Sequence, residues 1–384
     1  MPRTPMKPLP GPPEPWAPST MPAYRSRPPY VMTQMIGAEP ALAERLMRRL
    51  ATDDAVDTLA TTIRDALAAG QPVVTTGCGT SEHAAMGLAA LLSEALDLDS
   101  GHAIRSMVAL DSLHLPLTDG LLIAVSHEGG TQVTNEAMRA ARDAGAQTAL
   151  ITVGGGSPGA EIADIVIRTE EADQSWCHTV GYLSPLLAGV VLAARLKRGR
   201  VDALAVQALL DASADPHAAA AVAGGLTGTD RLLVVGNGPD LISARELALK
   251  VEEGARLPAT AIELESVMHG HLAAATRWTG LVLFLTDERP LVRDCATRVV
   301  TAAQALSLPV IGIIGEALAG GITLDQMPAG RIVVPRVGRV RGVAGSLLGS
   351  AMALQLLAER LARARGVDPD TLGREDPAQA SAHQ

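Results

Sequence analysis

Aromatic residues are nearly missing from this chain of 384 residues, which holds one Phe, three Tyr and three Trp. Its cores must be built from Ala, Leu, Val and Ile, and 47% of the chain is hydrophobic. Cysteine is scarce as well. Cys78, Cys177 and Cys295 show no metal-ligand spacing, and an odd number is no disulfide framework. A reduced, cytoplasmic setting is the natural expectation, and no metal site is expected. No apolar run of about 20 residues stands out, so no membrane span is expected. The N-terminus lacks the apolar centre of a signal segment. Positive charge is in deficit: a net charge of −9 argues against a general nucleic-acid binder. A local anion pocket stays open, because backbone N–H groups can build one without side-chain charge.

Proline is abundant only at the start. Residues 1–30 carry PLPGPPEPWAP and RPPY and read as a disordered or extended arm. From about Met32 the texture changes. Helical patterns alternate with short apolar runs at 72–77, 121–126, 148–154 and 164–169, which implies βαβ units and a parallel sheet. The order then recurs at 231–238, 281–286, 308–315 and 331–337. Paired strand ends at 77 and 236, 126 and 286, and 154 and 315 lie 159, 160 and 161 residues apart. The fold class expected is α/β, with two copies of one doubly wound parallel sheet flanked by helices. The copies span 31–195 and 229–366, a linker helix and turn fills 196–228, and a tail runs over 367–384.

Ligands of open parallel sheets sit at the carboxyl ends of strands. In copy one, the Gly77-Cys78-Gly79-Thr80-Ser81 loop follows a strand and opens a helix. Gly79 permits close backbone approach, and Thr80 and Ser81 offer hydroxyls beside free N–H groups. An ordinary N-cap uses the same residues. The Ser126-His127-Glu128-Gly129-Gly130-Thr131 loop repeats the arrangement. Together the loops suit a small anion. In copy two the matching loops, GNGPD and TDERP, are acidic and broken by Pro, so an anion cradle is not expected there.

Copy two gains a different feature. The stretch from Arg245 to Leu272 gathers Lys250, Glu253 and His269 in a chain with nine His. Lys250 and Glu253 are three apart and share a helix face. Glu246 lies four before Lys250, which is also the common spacing of a surface salt bridge. An acid, a base and a cation in one place suit proton transfer with stabilisation of a developing oxyanion.

At these residues the chain resembles the sugar isomerase (SIS) superfamily, most of all the isomerase half of glucosamine-6-phosphate synthase and the related deaminases and deglycases. The resemblance covers about Met32 to Pro377. It rests on MTQMIGAEP, on Cys78 to Ser81, on Gly236 and Gly238 with Ala248 to Glu253, and on Glu265 to Gly270. It implies two tandem SIS domains. It also implies that Thr80, Ser81, Ser126 and Thr131 contact a sugar phosphate. Glu253 would move the proton between the first two sugar carbons, and Lys250 would assist at the sugar oxygens. His269 would help open the ring, often from the neighbouring subunit of a homodimer. The ligand implied is a small-molecule sugar or sugar phosphate, and no cofactor is needed.

Three departures shape the expected function. Glu128 stands where the family's second loop usually has Ser, and a carboxylate inside a phosphate cradle repels a dianion. Either Glu128 swings outward or the ligand is less anionic; His127 beside it could offset the charge. Ser175 to Thr179 replaces a segment the family often writes Ser-Thr-Lys. Arg374 stands near the position of a Lys that closes over the site in the family. The first 30 residues offer no glutaminase, so glutamine-dependent synthesis is not expected of this chain alone. The expected function is a sugar-phosphate isomerase or amino-sugar-phosphate deaminase. The alternatives are a non-catalytic sugar-binding regulator and an isomerase or deglycase for an unphosphorylated sugar.

Overall fold

The computed structural model describes residues 27–98, 104–321 and 324–382. The Pro-rich arm lies outside them except for residues 27–30, where Tyr30 is buried at the start of the first helix.

The first half contains α1 (Val31–Leu50), α2 (Asp54–Ala68), β1 (Val73–Gly77), α3 (Thr80–Ala95), β2 (Arg105–Val108), α4 (Ala109–His114), β3 (Leu121–Val125), α5 (Gln132–Ala144), β4 (Gln147–Thr152), α6 (Pro158–Ile162), β5 (Ile165–Arg168) and α7 (Val180–Leu196). Next come α8 (Ala203–Ser213) and α9 (Pro216–Leu226). The second half holds β6 (Arg231–Gly236), α10 (Pro239–Ala255), β7 (Ala259–Glu263), β8 (Thr279–Leu285), α11 (Pro290–Ala305), β9 (Val310–Gly315), β10 (Arg331–Val334), α12 (Gly342–Ala364) and α13 (Pro377–Ala382).

Each half forms a parallel five-stranded sheet, in the orders β2-β1-β3-β4-β5 and β7-β6-β8-β9-β10. The two orders are the same topology, so the constant sequence offset reflects a duplicated fold. The first turn of each copy repeats in detail. Gly79 (φ 57°) and Gly238 (φ 54°) both occupy the left-handed region before α3 and α10, which a side chain would strain. A Cβ at Gly77 would lie 2.6 Å from the Ser81 carbonyl, and one at Gly236 would lie 2.5 Å from that of Asp240.

The structure adds two strands that the apolar runs do not mark. Both β2 and β7 are sheet edges with part of their length exposed, so RSMV and ATAIE have no need of a continuous apolar run. The stretch between the copies forms two helices where one was expected. Asp215 ends the first by capping the second: its carboxylate accepts from the His217 and Ala218 N–H groups, with Pro216 at the first helical position.

A single apolar cluster runs through both halves, from β1, α3 and α7 to β6, α10 and α12. At its centre is α12, which packs on α8, α9 and α10. By length and composition α12 could cross a membrane, contrary to the expectation that no such run exists. Yet 78% of its apolar window is buried within the fold. It is this internal packing that occupies its apolar surface.

Candidate functional site

Strand order reverses between β1 and β3, so the loops that follow them flank a crevice. Thr80 opens α3 at the rim of that crevice. Its hydroxyl does not point freely outward: it accepts from Lys250 Nζ at 2.8 Å and donates to Glu246 Oε1 at 3.3 Å. The helices α3 and α10 therefore meet through a polar seam within an apolar core. His83, one turn along α3, completes it, with Nδ1 2.7 Å from Glu246 Oε2.

Lys250 and Glu246 are fully buried, and Lys250 Nζ also donates to Glu253 Oε2 at 2.6 Å. Burial alone would lower the Lys250 pKa, but the Glu246 and Glu253 carboxylates outweigh it and push it up. Burial would likewise raise Glu246, and Lys250 and His83 reverse that to hold it below its usual value. Lys250 is thus a fixed cation. Glu253 is the member that reaches out, with 22% of its side chain exposed. One carboxylate fixes the cation and a second, accessible one is aimed by it.

The Ser175–Thr179 segment, a departure from the family pattern, wraps this cluster. Cys177 Sγ lies 3.9 Å from the Lys250 carbonyl oxygen. His178 is brought beside the cluster, and its pKa is lowered to about 4 by burial and by the charges of Lys250 and Arg374. Arg374 sits 3.9 Å over the Trp176 ring, a cation–π contact. The tail that carries it is pinned by Asp370, whose carboxylate accepts from the Val31 and Met32 N–H groups, both at 2.8 Å.

In the second loop, Ser126 Oγ lies 3.4 Å from Thr131 Oγ1, so these two hydroxyls share one side of the crevice. Glu128 is exposed and has no side-chain partner among the described residues. Gly79 is exposed and Ser81 half-buried at the opposite rim. His127 departs from its expected place as a charge offset for Glu128. Its ring is buried, and Nε2 accepts the Asp173 N–H at 2.8 Å. Burial and the neighbouring His178 lower its pKa to about 3, so it stays neutral and cannot offset Glu128.

This buried imidazole has a measurable consequence. An imidazolium has no lone pair left for the Asp173 N–H. The folded pKa lies below the ordinary imidazole value of 6.5, so the unfolded chain takes up the proton first. His127's contribution to stability is therefore complete above 6.5 and is lost as pH falls toward about 3. Urea denaturation across that range is expected to show a shallower pH slope in His127→Asn than in the parent protein. Equal slopes would remove His127 from the linkage.

His269 is not brought to the Lys250 cluster within one chain. It is exposed, pairs with Glu265 at 3.3 Å, and lines a cavity of about 320 Å³ beside Leu233 and Ile262. Those two side chains belong to the core that also holds Ala296 and Val299 of α11. Leu232 and Val234, on the other face of β6, pack with Leu247 and Val251 of α10. His269 and Lys250 thus lie on opposite faces of the second sheet.

The second copy's crevice is filled by one of its own side chains. Asp240, in the first turn of α10, is buried. Its carboxylate accepts from Thr286 N at 2.7 Å, Thr286 Oγ1 at 2.6 Å and Ser346 Oγ at 3.1 Å. Thr286 is the counterpart of Ser126. In the second copy a built-in carboxylate takes these donors.

Sequence reasoning missed His83 and His178 as neighbours of Lys250, and it left Glu246 as an ordinary ion-pair candidate. Thr80 and His83 stand three apart at the start of α3, which puts them on one face; that was the available signal. Nothing local marked His178. Among the described residues no group of His, Cys, Asp and Glu could hold a metal ion.

Comparison with known proteins agrees with this fold. Residues 67–195 match the model of the SIS domain family. The chain is 29% identical over 373 residues to the glutamine–fructose-6-phosphate aminotransferase (isomerizing) of Symbiobacterium thermophilum. The match takes in 89% of this chain and 57% of that protein, so the chain spans little more than half of its relative's length. Among solved structures, the C-terminal domain of glucosamine-fructose-6-phosphate aminotransferase from Francisella tularensis superposes with a TM-score of 0.76 at 18% identity, covering 91% of this chain and all of that one. Tagatose-6-phosphate ketose/aldose isomerase from Escherichia coli superposes with a TM-score of 0.70 at 18% identity, over 92% of this chain and 97% of its own. The family match places a SIS domain at residues 67–195, and the second half of the chain repeats its sheet order.

Proposed function

We propose that the protein is a cofactor-independent enzyme that moves a proton between adjacent carbons of a sugar phosphate, as an aldose–ketose isomerase or an amino-sugar-phosphate deaminase. The observation that carries this reading is the Thr80–Lys250–Glu253 chain, with links of 2.8 and 2.6 Å. It joins the rim of the expected phosphate crevice to an accessible carboxylate through a buried cation. A purely sugar-binding regulator would have no need of that carboxylate.

In the proposed reaction Ser81, Ser126 and Thr131 hold the phosphate, with the α3 N-terminus supplying partial positive charge. Glu253 takes the proton from one carbon and returns it to the next. Lys250, buried behind Glu253, aims that carboxylate and lends the site its positive charge from a distance. Arg374, held over Trp176, closes the tail side of the crevice. His269 reaches a site only from a neighbouring copy of the chain, so the reading includes a homodimer. The two sheets and their helices then serve as two domains, 31–195 and 229–366, joined by 196–228. The sugar phosphates named for its relatives support the substrate class.

Glucosamine 6-phosphate is the first substrate to supply, with ammonia and fructose 6-phosphate followed as products. No turnover of it, nor of a small panel of ketosamine phosphates and hexose phosphates, would sink the phosphosugar reading. The second reading, an unphosphorylated sugar, is favoured by Glu128 alone. The exposed, unpartnered carboxylate makes Glu128→Ser the discriminating variant. Phosphosugar binding measured by calorimetry is expected to tighten by about tenfold, since one like charge at the cradle is removed. Unchanged affinity would show that Glu128 does not govern the anionic handle.

A further inference from the structure

A groove of about 440 Å³ opens where α3, α7 and α8 meet the start of α12. Leu91, Val190, Val206 and Val340 give it an apolar wall. Four cations stand around it: Lys197, Arg200, Arg339 and Arg341. None has an ion pair or a side-chain hydrogen bond among the described residues. Elsewhere in this acidic chain arginines are commonly paired, as Arg45 is with Glu171, Arg195 with Asp57 and Arg298 with Glu265. The two acids at the groove are already committed. Glu94 Oε1 accepts from Val343 N at 3.0 Å, and Asp202 Oδ1 accepts from Ala205 N at 3.0 Å.

We propose that this groove binds a small organic phosphate or diphosphate, with its phosphate oxygens on Arg339 and Arg341 and its carbon body on the apolar wall. Arginine forks match phosphate oxygens in pairs. Four unpaired cations against two committed acids leave a local positive field in a chain of net charge −9. The volume lies within the range of small-molecule sites. Leu91, Val190, Val206 and Val340 are aliphatic side chains that suit a flat base or an acyl segment better than a bare anion.

The groove is separate from the sugar crevice. Thr80 opens α3, and Leu91 and Glu94 stand near its other end, about 20 Å along the axis at 1.5 Å per residue. An anion bound at the groove and one bound at Ser81 and Ser126 are therefore distinguishable by mutation. The proposal does not depend on what the crevice catalyses.

Calorimetry on the full chain at low salt, with adenosine diphosphate, pyrophosphate and inorganic phosphate as probes, tests it. Adenosine diphosphate is expected to bind more tightly than pyrophosphate, because only it uses the apolar wall. The Arg339→Ala/Arg341→Ala variant should weaken that binding by about tenfold or more, while Ser126→Ala leaves it unchanged. Both arginines are exposed and unpaired, so their removal should not disturb folding, which circular dichroism checks. Absence of binding by either diphosphate overturns the proposal. So does binding that survives the double variant, or that is lost in Ser126→Ala. Pyrophosphate binding as tightly as adenosine diphosphate removes the role of the apolar wall.

Discussion

Glu253→Gln is expected to lower kcat on a sugar phosphate by roughly 10²–10⁴-fold, the usual range for a positioned general base, with little change in substrate Kd. The amide keeps the shape of the side chain and can still accept from Lys250 Nζ. What it loses is the capacity to take a proton. Lys250 is buried completely, whereas Glu253 keeps 22% of its side chain open, so only the latter can meet a substrate carbon. Steady-state kinetics with a calorimetric Kd separates chemistry from binding. A variant with kcat within about threefold of the parent would assign the proton transfer to another group.

Lys250→Met is expected to be the most destabilising substitution in the site, at about 3–5 kcal/mol. The methionine fills most of the volume but leaves Glu246 buried without its principal counter-charge. His83 remains 2.7 Å from Glu246 and keeps one hydrogen bond to that carboxylate. Turnover should vanish as well, because Glu253 loses the cation that aims it. Urea denaturation reads the first effect. The double variant Lys250→Met/Glu246→Leu supplies the control, since removing both charges should restore part of the stability while activity stays lost. Full stability in the single variant would mean that Glu246 is solvated in a way its burial does not show.

The eight apolar runs of the sequence all become strands, and six of them are central in their sheets, where strands are buried on both faces and need continuous Val, Ile and Leu. The edge strands Arg105–Val108 and Ala259–Glu263 escaped notice for the opposite reason. Within the site, Lys250 and Glu253 were legible from their helical spacing. Their partners were not. Thr80 and His83 meet α10 across 170 and 163 residues of chain, and such pairings are set by how α3 and α10 pack. Local spacing also misplaced His127, whose ring turns inward to the Asp173 N–H, and it could not show His269 on the far face of the second sheet. Glu246 and Lys250 had the spacing of a surface salt bridge; only the burial of both revealed a fixed charge pair.

Proton transfer between adjacent sugar carbons is the central claim, and proton NMR in D₂O reads it most directly. The wild-type protein, given glucosamine 6-phosphate, fructose 6-phosphate and related ketosamine phosphates, is predicted to introduce solvent deuterium at C1 or C2 of at least one of them. Glu253→Gln is predicted to stop that exchange. Full retention of protium at both carbons across the panel, with no conversion of any member, would contradict it.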